Sequence, residues 1–343
     1  MVKLKIGVAA AVCLIAVGAM ASNFRAADQV YVPAAGHVAS SVTFISDVFL
    51  SNFSTDPVSV SVIYSSGATG AQQVFNNVIT LSANERREIL DFLPTTLGLQ
   101  TGFGQLIFNA CKQNGDCNVN TCPNGTTTGI CPDFRNISVE SRIYSVPNGS
   151  NPATAPTNGQ LFSGIPWYNF VSSDANAVGL DKVQIVGIRQ NTAYRSNIGL
   201  INASQYSTTH LLAKLFDGAT GAQIGTTYDQ PLAPLGQVQV NISQAFPGFS
   251  GTNAYVTVEQ TNTVATSDAA AASCPDGCPA FFAYGSVADN VTNDATTLEA
   301  QYLKSLTDPV FGDPVSGPNP ITCIYNQLCK APYAFVPHRA VSH

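Results

Sequence analysis

Ser46-Asp47-Val48-Phe49-Leu50-Ser51-Asn52-Phe53-Ser54 is matched by Ser196-Asn197-Ile198-Gly199-Leu200-Ile201-Asn202-Ala203-Ser204, and Gly67-Ala68-Thr69-Gly70-Ala71-Gln72 recurs unchanged as Gly218-Ala219-Thr220-Gly221-Ala222-Gln223. The two matches keep their order at offsets of 150 and 151 residues, so the chain reads as two copies of one domain. Around them the pattern is that of short strands. Val58 to Tyr64 alternates with period two, and its counterpart Leu211 to Phe216 runs into Asp217-Gly218, a tight-turn dipeptide. Val238 to Ile242 and Ala254 to Val258 alternate in the same way. Many such strands, separated by Gly, Pro and Asn turns, predict an all-β fold of two tandem antiparallel β-sandwiches.

One segment competes with this assignment. Ser82-Ala83-Asn84-Glu85 has the capping-box pattern of a helix start. The repeat, however, sets it opposite Leu235 to Asn241, whose β-branched alternation suits a strand. Arg86 to Phe92 is therefore expected as a strand equivalent to Val238 to Ile242, with a helical turn confined to Pro94 to Leu97.

Hydrophobic residues make up 45% of the 343 and charged residues only 10%, so the surface is expected to be polar and neutral. Residues 1–21 carry Lys3 and Lys5, an apolar run from Ile6 to Met20, and the site Ala19-Met20-Ala21, the pattern of a removable signal peptide with a mature start at Ser22. That run is shorter than the roughly 20 residues that span a bilayer. No membrane span is expected after cleavage, and the protein is expected to be secreted or held at the cell surface. The mature chain has 21 acidic against 13 basic residues, a net charge of −8, which gives nucleic acid no electrostatic footprint.

In an exported chain the eight remaining cysteines favour disulfides. Cys111, Cys117, Cys122 and Cys131 form one cluster, Cys274 and Cys278 a second, and Cys323 and Cys329 a third. Local pairing within each is the economical expectation, and the first cluster leaves three connectivities open. The domains follow: signal 1–21, a first sandwich 22–146 with a Cys-rich insertion 109–135, a linker 147–182, a second sandwich 183–300, and a Pro-rich tail 301–343. The linker holds an apolar island from Leu161 to Phe170, expected to pack on one domain.

The openings Val30-Tyr31-Val32-Pro33-Ala34-Ala35-Gly36-His37 and Val186-Gly187-Ile188-Arg189-Gln190-Asn191-Thr192-Ala193-Tyr194-Arg195-Ser196-Asn197-Ile198-Gly199-Leu200, each followed by the hairpin, resemble an uncharacterised family of secreted bacterial proteins. That resemblance covers roughly residues 30 to 295 and implies tandem immunoglobulin-like β-sandwiches. It brings no catalytic residues, and the Cys-rich insertion and the tail depart from the family's simpler members.

Residues able to carry chemistry are few. A nucleophile needs a base, and only His37, His210, His338 and His343 are available, with no Gly-x-Ser-x-Gly elbow. Glu85, Glu88, Asp91, Glu140 and Glu259 are carboxylates that a glycosidase could pair, although exposed strand faces explain them as well. The cysteine gaps lack the Cys-x2-Cys grip of zinc. Asp116, Asn118 and Asn120 start like a calcium loop, but Thr121 and Thr127 replace its glycine and its bidentate Glu. No cofactor or metal is expected. Seven Asn-x-Ser/Thr sites, at Asn52, Asn124, Asn136, Asn148, Asn202, Asn241 and Asn290, are candidates for glycosylation, although turn chemistry alone explains an Asn at the equivalent strand ends Asn52 and Asn202. Trp167 and Tyr168, with Phe170, are the candidate sugar-stacking aromatics, against a role as a buried linker anchor beside Leu161, Phe162 and Ile165.

These features favour a non-enzymatic structural or adhesive protein. Its expected partners are a second copy of itself, through strand addition by the extended ends Ser22 to Val32 and Tyr302 to His343, or surface glycans. A carbohydrate-binding module is the alternative, and an enzyme with an unfamiliar carboxylate site the third.

Overall fold

The structure, a computed structural model, describes residues 26–115, 133–152, 154, 157–166, 171–172, 182–204, 208–260 and 280–302. The first half runs β1 (Gln29–Ala39), β2 (Thr43–Asn52), β3 (Val58–Ser66), β4 (Ala71–Leu81), β5 (Arg86–Ile89), α1 (Phe92–Thr96), β6 (Gly102–Lys112), β7 (Ile137–Val146), β8 (Asn158–Ser163) and β9 (Ile165–Pro166). After β10 (Val171–Ser172) the second half runs β11 (Lys182–Gln190), β12 (Tyr194–Asn202), β13 (Thr209–Asp217), β14 (Gln223–Leu232), β15 (Gln237–Asn241), α2 (Ile242–Ala245), β16 (Gly251–Gln260), β17 (Ala280–Asp289), β18 (Ala295–Glu299) and β19 (Gln301–Tyr302). Five strands, one short helix and four strands appear in the same order in both halves.

All described pairings are antiparallel, and the fold is all-β. In the second half one sheet has the order β14-β13-β16-β11-β19, and the other has β15-β12-β17 with β10 and β18 both on β17. The first half repeats this as β4-β3-β6-β1-β9 and β5-β2-β7-β8. Here the end of β1 also crosses to β2 through Val38 opposite Phe44. Alternation sets the inner faces: Val58, Val60 and Val62 of β3 meet Leu106, Phe108 and Ala110 of β6 and Val48, Leu50 and Val139 of the facing sheet in one buried cluster.

The strand loops show why equal sequence gives equal structure. Asn52, 2% exposed, donates from Nδ2 to Ser82 O at 2.8 Å, and its Oδ1 accepts from Ser54 N at 2.9 Å. Asn202, 0% exposed, donates to Ala233 O at 2.9 Å and accepts from Ser204 N at 2.9 Å. Turn chemistry thus explains both asparagines. Neither carboxamide is open to a glycan without breaking these bonds, so the candidate glycosylation at Asn52 and Asn202 is not compatible with this packing. Replacing Asn202 with Ala leaves buried backbone groups unpartnered and is expected to cost about 1–3 kcal/mol in urea unfolding. The same change at exposed Asn136 should stay within about 0.5 kcal/mol.

The expected strand Arg86 to Phe92 is shorter than the repeat implied. Strand pairing stops at Ile89, Asp91 turns at φ 47°, and Phe92 already lies in α1 with its ring fully buried. The cause is the core: Phe92 packs on Phe108 with ring centroids 5.7 Å apart, which requires the chain to turn inward there. The expected strand Val238 to Ile242 ends one residue early for the same kind of reason, since Ile242 opens α2 and is fully buried. The linker expected at 147–182 is also partly sheet. Leu161 and Phe162 belong to β8, paired with β7 through Ser141 opposite Phe162, while Ile165 sits in β9 on β1.

Two strands at the sheet edges are bulged. Opposite Val60 and Val62, β4 places Ile79 and Phe75, with Asn77 at φ 51° in the excess; β14 does the same around Gly225 at φ 69°. Such bulges interrupt the ladder that another strand would need.

Candidate functional site

The feature that singles this molecule out is the joint between its halves. β3 leaves its sheet through the turn Gly67–Gly70, with Gly67 at φ 59° and Gly70 at φ 63°. This turn meets the loop between β14 and β15. Ala233 N donates to Ala68 O at 3.1 Å and Gln237 N donates to Gly67 O at 2.9 Å. Two side chains on the outer face of the first sheet, Ser65 and Gln105, both 0% exposed, donate to the same carbonyl, Leu235 O, at 2.8 and 2.6 Å. A buried carbonyl with two donors is fully satisfied, and the donors would be costly to bury otherwise. Leu235 itself stands at φ 53°, a left-handed conformation that costs a branched residue about 1–2 kcal/mol. Its own N–H is anchored on Ser204 O at 2.8 Å.

A second patch lies along β8. Phe162 of the first half packs edge-on against Tyr284 of the second, with centroids 5.1 Å apart at 77°. Asn158 Nδ2 donates to Thr292 O at 2.8 Å and Thr297 Oγ1 donates to Leu161 O at 2.7 Å. Burial pushes the Tyr284 phenol well above its ordinary range, and it stays a donor, to Gln239 Oε1 at 2.9 Å. The two halves share one hydrophobic core cluster.

Both surfaces of the main contact have counterparts that the joint does not use. In place of Ser65 and Gln105, the second half carries Phe216 and Tyr255, cross-strand neighbours stacked at 5.1 Å and 12°. Val186 lies next to Tyr255 in the same row and is 41% exposed. The adjoining rows hold Glu259 between Lys182, at 2.8 Å, and Lys214. Burial alone would push the Glu259 carboxyl up, but the two ammonium groups outweigh it and hold it below the usual carboxylate range. In place of the Leu235 loop the first half has Ser82-Ala83-Asn84-Glu85.

The carboxylates named from the sequence are dispersed. Glu85 accepts from Ser82 N at 2.6 Å and pairs with Arg87, which together hold it below its ordinary value; the capping-box contact forms, but it closes a turn before a strand. Asp91 Oδ1 lies 2.8 Å from His37 Nδ1, and its N–H donates to the buried Asp47, which also accepts from Tyr144 OH at 3.0 Å. This His and Asp pair was not foreseen. Among the described residues no hydroxyl or thiol is hydrogen-bonded to His37. His210 pairs with exposed Asp229 at 3.0 Å. Glu88 and Glu140 flank Phe49 from β5 and β7, two strand spacings or about 9–10 Å apart, on an outward sheet face.

Among the described residues no group of three His, Cys, Asp or Glu could hold a metal ion, and no helix is long and apolar enough to cross a membrane. Asn241 caps α2 through Ser243 N at 2.9 Å, Asn148 bonds Ser40 O and Thr43, and Asn290 bonds Arg195. Asn136 is exposed. Asn124, Trp167, Tyr168, Phe170, His338, His343, the calcium-like run from Asp116, and every cysteine except Cys111 lie outside the described residues. No family model matches the chain, and no curated protein matches it either.

Proposed function

We propose that the chain is a secreted, non-enzymatic structural or adhesive protein of the cell surface or extracellular space, built from two tandem immunoglobulin-like β-sandwiches and able to assemble with its own copies. The observation that carries this is the joint. Four hydrogen bonds, two of them from fully buried side chains to one carbonyl, fix the two halves as a single stiff unit. An extracellular module under tension needs that stiffness, and the carboxylates of Glu85, Asp91 and Glu259 are engaged by Arg87, His37 and Lys182 of the frame. The half-cystine state of Cys111, at the end of β6, supports disulfide clipping of the insertion that follows it.

Fractionation of the native source tests this. The mature chain, starting at Ser22, is expected outside the cytoplasm, with oxidised cysteines and in assembled form. Recovery from the cytosol with eight free thiols, or hydrolysis of a polysaccharide by the purified chain, would overturn it. One observation favours carbohydrate binding as the second function: the coplanar, half-buried Phe216 and Tyr255 form a platform on which a sugar ring can stack.

A further inference from the structure

The joint inside the chain is heterologous: a sheet face and turn of the first half receive a loop of the second. Each half therefore keeps the counterpart of what the other half used. The second half still has the face, with Phe216, Tyr255, Val186 and the turn Gly218–Gly221; the first half still has the loop, Ser82 to Arg86. We propose that these two remaining surfaces dock on each other between copies of this chain, repeating the internal joint head to tail.

The loop is preformed. Asn84 stands at φ 56° where Leu235 has 53°. Asn84 N donates to Ser54 O at 3.1 Å as Leu235 N does to Ser204 O, and Asn52 N donates to Glu85 O at 2.9 Å as Asn202 N does to Gly236 O, also at 2.9 Å. The turn keeps the same hexapeptide and its last glycine, Gly221 at φ 70° against 63° for Gly70, but it closes one residue wider, with Gly221 N on Asp217 O at 2.9 Å where Gly70 N binds Gly67 O at 3.2 Å, so its first half has to adjust on docking. Side chains have changed together on the two surfaces. The polar donors Ser65 and Gln105 become the aromatic Phe216 and Tyr255, and fully buried Ala203 becomes Phe53, which is 53% exposed. Exposed apolar side chains thus stand at both ends, Phe53 beside the loop and Val186, 41% exposed, beside the stacked pair. An apolar contact would replace the hydrogen-bonded one. Such an interface yields a ring if its rotation closes and a fibre if it does not. Such a contact would allow assembly without edge pairing, which the bulges at Asn77 and Gly225 hinder.

This proposal rests on the self-assembly part of the proposed function, and the test separates the two. Sedimentation velocity and electron microscopy are run on the full mature chain, on Phe53→Asp and on Val186→Arg, with Ala83→Arg as a second loop variant. All three changes are at exposed positions, and circular dichroism checks folding. The mature chain is expected to form oligomers as its concentration rises, and each variant alone to need at least tenfold more protein. A mixture of Phe53→Asp with Val186→Arg retains one intact pair of surfaces, so it should stop at a one-to-one dimer. If the variants assemble like the parent, this contact is wrong while assembly by another route stands. A parent that stays monomeric at every concentration overturns both; one that instead binds cellohexaose or xylohexaose, with binding lost in Tyr255→Ala, assigns the face to glycans.

Discussion

Gly70→Ala should split the molecule's unfolding in two, while Gly221→Ala should not. The two glycines occupy the same position of an identical hexapeptide, at φ 63° and 70°, so both alanines incur the left-handed penalty of about 1–2 kcal/mol. Their surroundings differ. A Cβ on Gly70 would lie 1.9 Å from Pro234 O and 3.0 Å from Gly236 N, both backbone atoms that cannot swing aside, whereas one on Gly221 meets nothing closer than the Tyr255 hydroxyl at 4.0 Å. Relieving the clash means moving the turn off the loop, with loss of the bonds from Ala233, Gln237, Ser65 and Gln105. The expected total for Gly70→Ala is above about 4 kcal/mol, a range reserved for disrupted buried networks. Calorimetry on the two variants measures it: one transition shifted modestly for Gly221→Ala, two separate transitions for Gly70→Ala.

Phe162→Ala is expected to cost about 3–5 kcal/mol, the usual range for removing a buried aromatic ring. Phe162 is 0% exposed, closes the edge of the first half, and supplies the ring that packs on Tyr284. Tyr284 in turn lies over Gly199, where a Cβ would sit 2.0 Å from its ring, and its hydroxyl is held by Gln239 Oε1 at 2.9 Å, so filling the hole would break that bond. Urea unfolding measures the loss. Phe162→Leu, which keeps most of the volume, should recover over half of it.

Strands such as β3 and β13 were legible because apolar residues alternate and the same Gly-rich hexapeptide follows both. The repeat also set the strand from Arg86 against the one read from Val238, overriding the capping box; the structure pairs Arg86 with Ser51 and Gln237 with Ile201, so the second strand starts one residue earlier than read. Strand ends were less legible. Whether Phe92 continues a strand or turns into the core depends on Phe108, a distant residue that no local pattern reveals. The edge strand β8 was hidden in an Asn- and Pro-rich stretch because its apolar content is short and one of its residues, Leu161, is 46% exposed. The joint left one trace in the sequence, a leucine and a glycine at 235 and 236 where the first half has Asn84 and Glu85. Leucine at a left-handed position contradicts local preference, and such contradictions gather where tertiary contacts take over. His37 and Asp91, 54 residues apart, were named separately and meet only because β1 and the start of α1 share one end of the sheet.

Ser65 and Leu235 meet across 170 residues of chain. A chain emerging at about 5–20 residues per second completes the first half at β9 (Ile165–Pro166) only about 3–14 seconds before the loop that will cover it. During that interval Ser65 and Gln105 stand in water on a finished sheet. Their hydroxyl and carboxamide keep the waiting surface hydrated, while the bulge at Asn77 denies a neighbouring nascent chain a straight edge to zip onto. The polar grip that later locks the halves together thus also serves, earlier in the molecule's life, to keep a half-synthesised protein from sticking to its siblings.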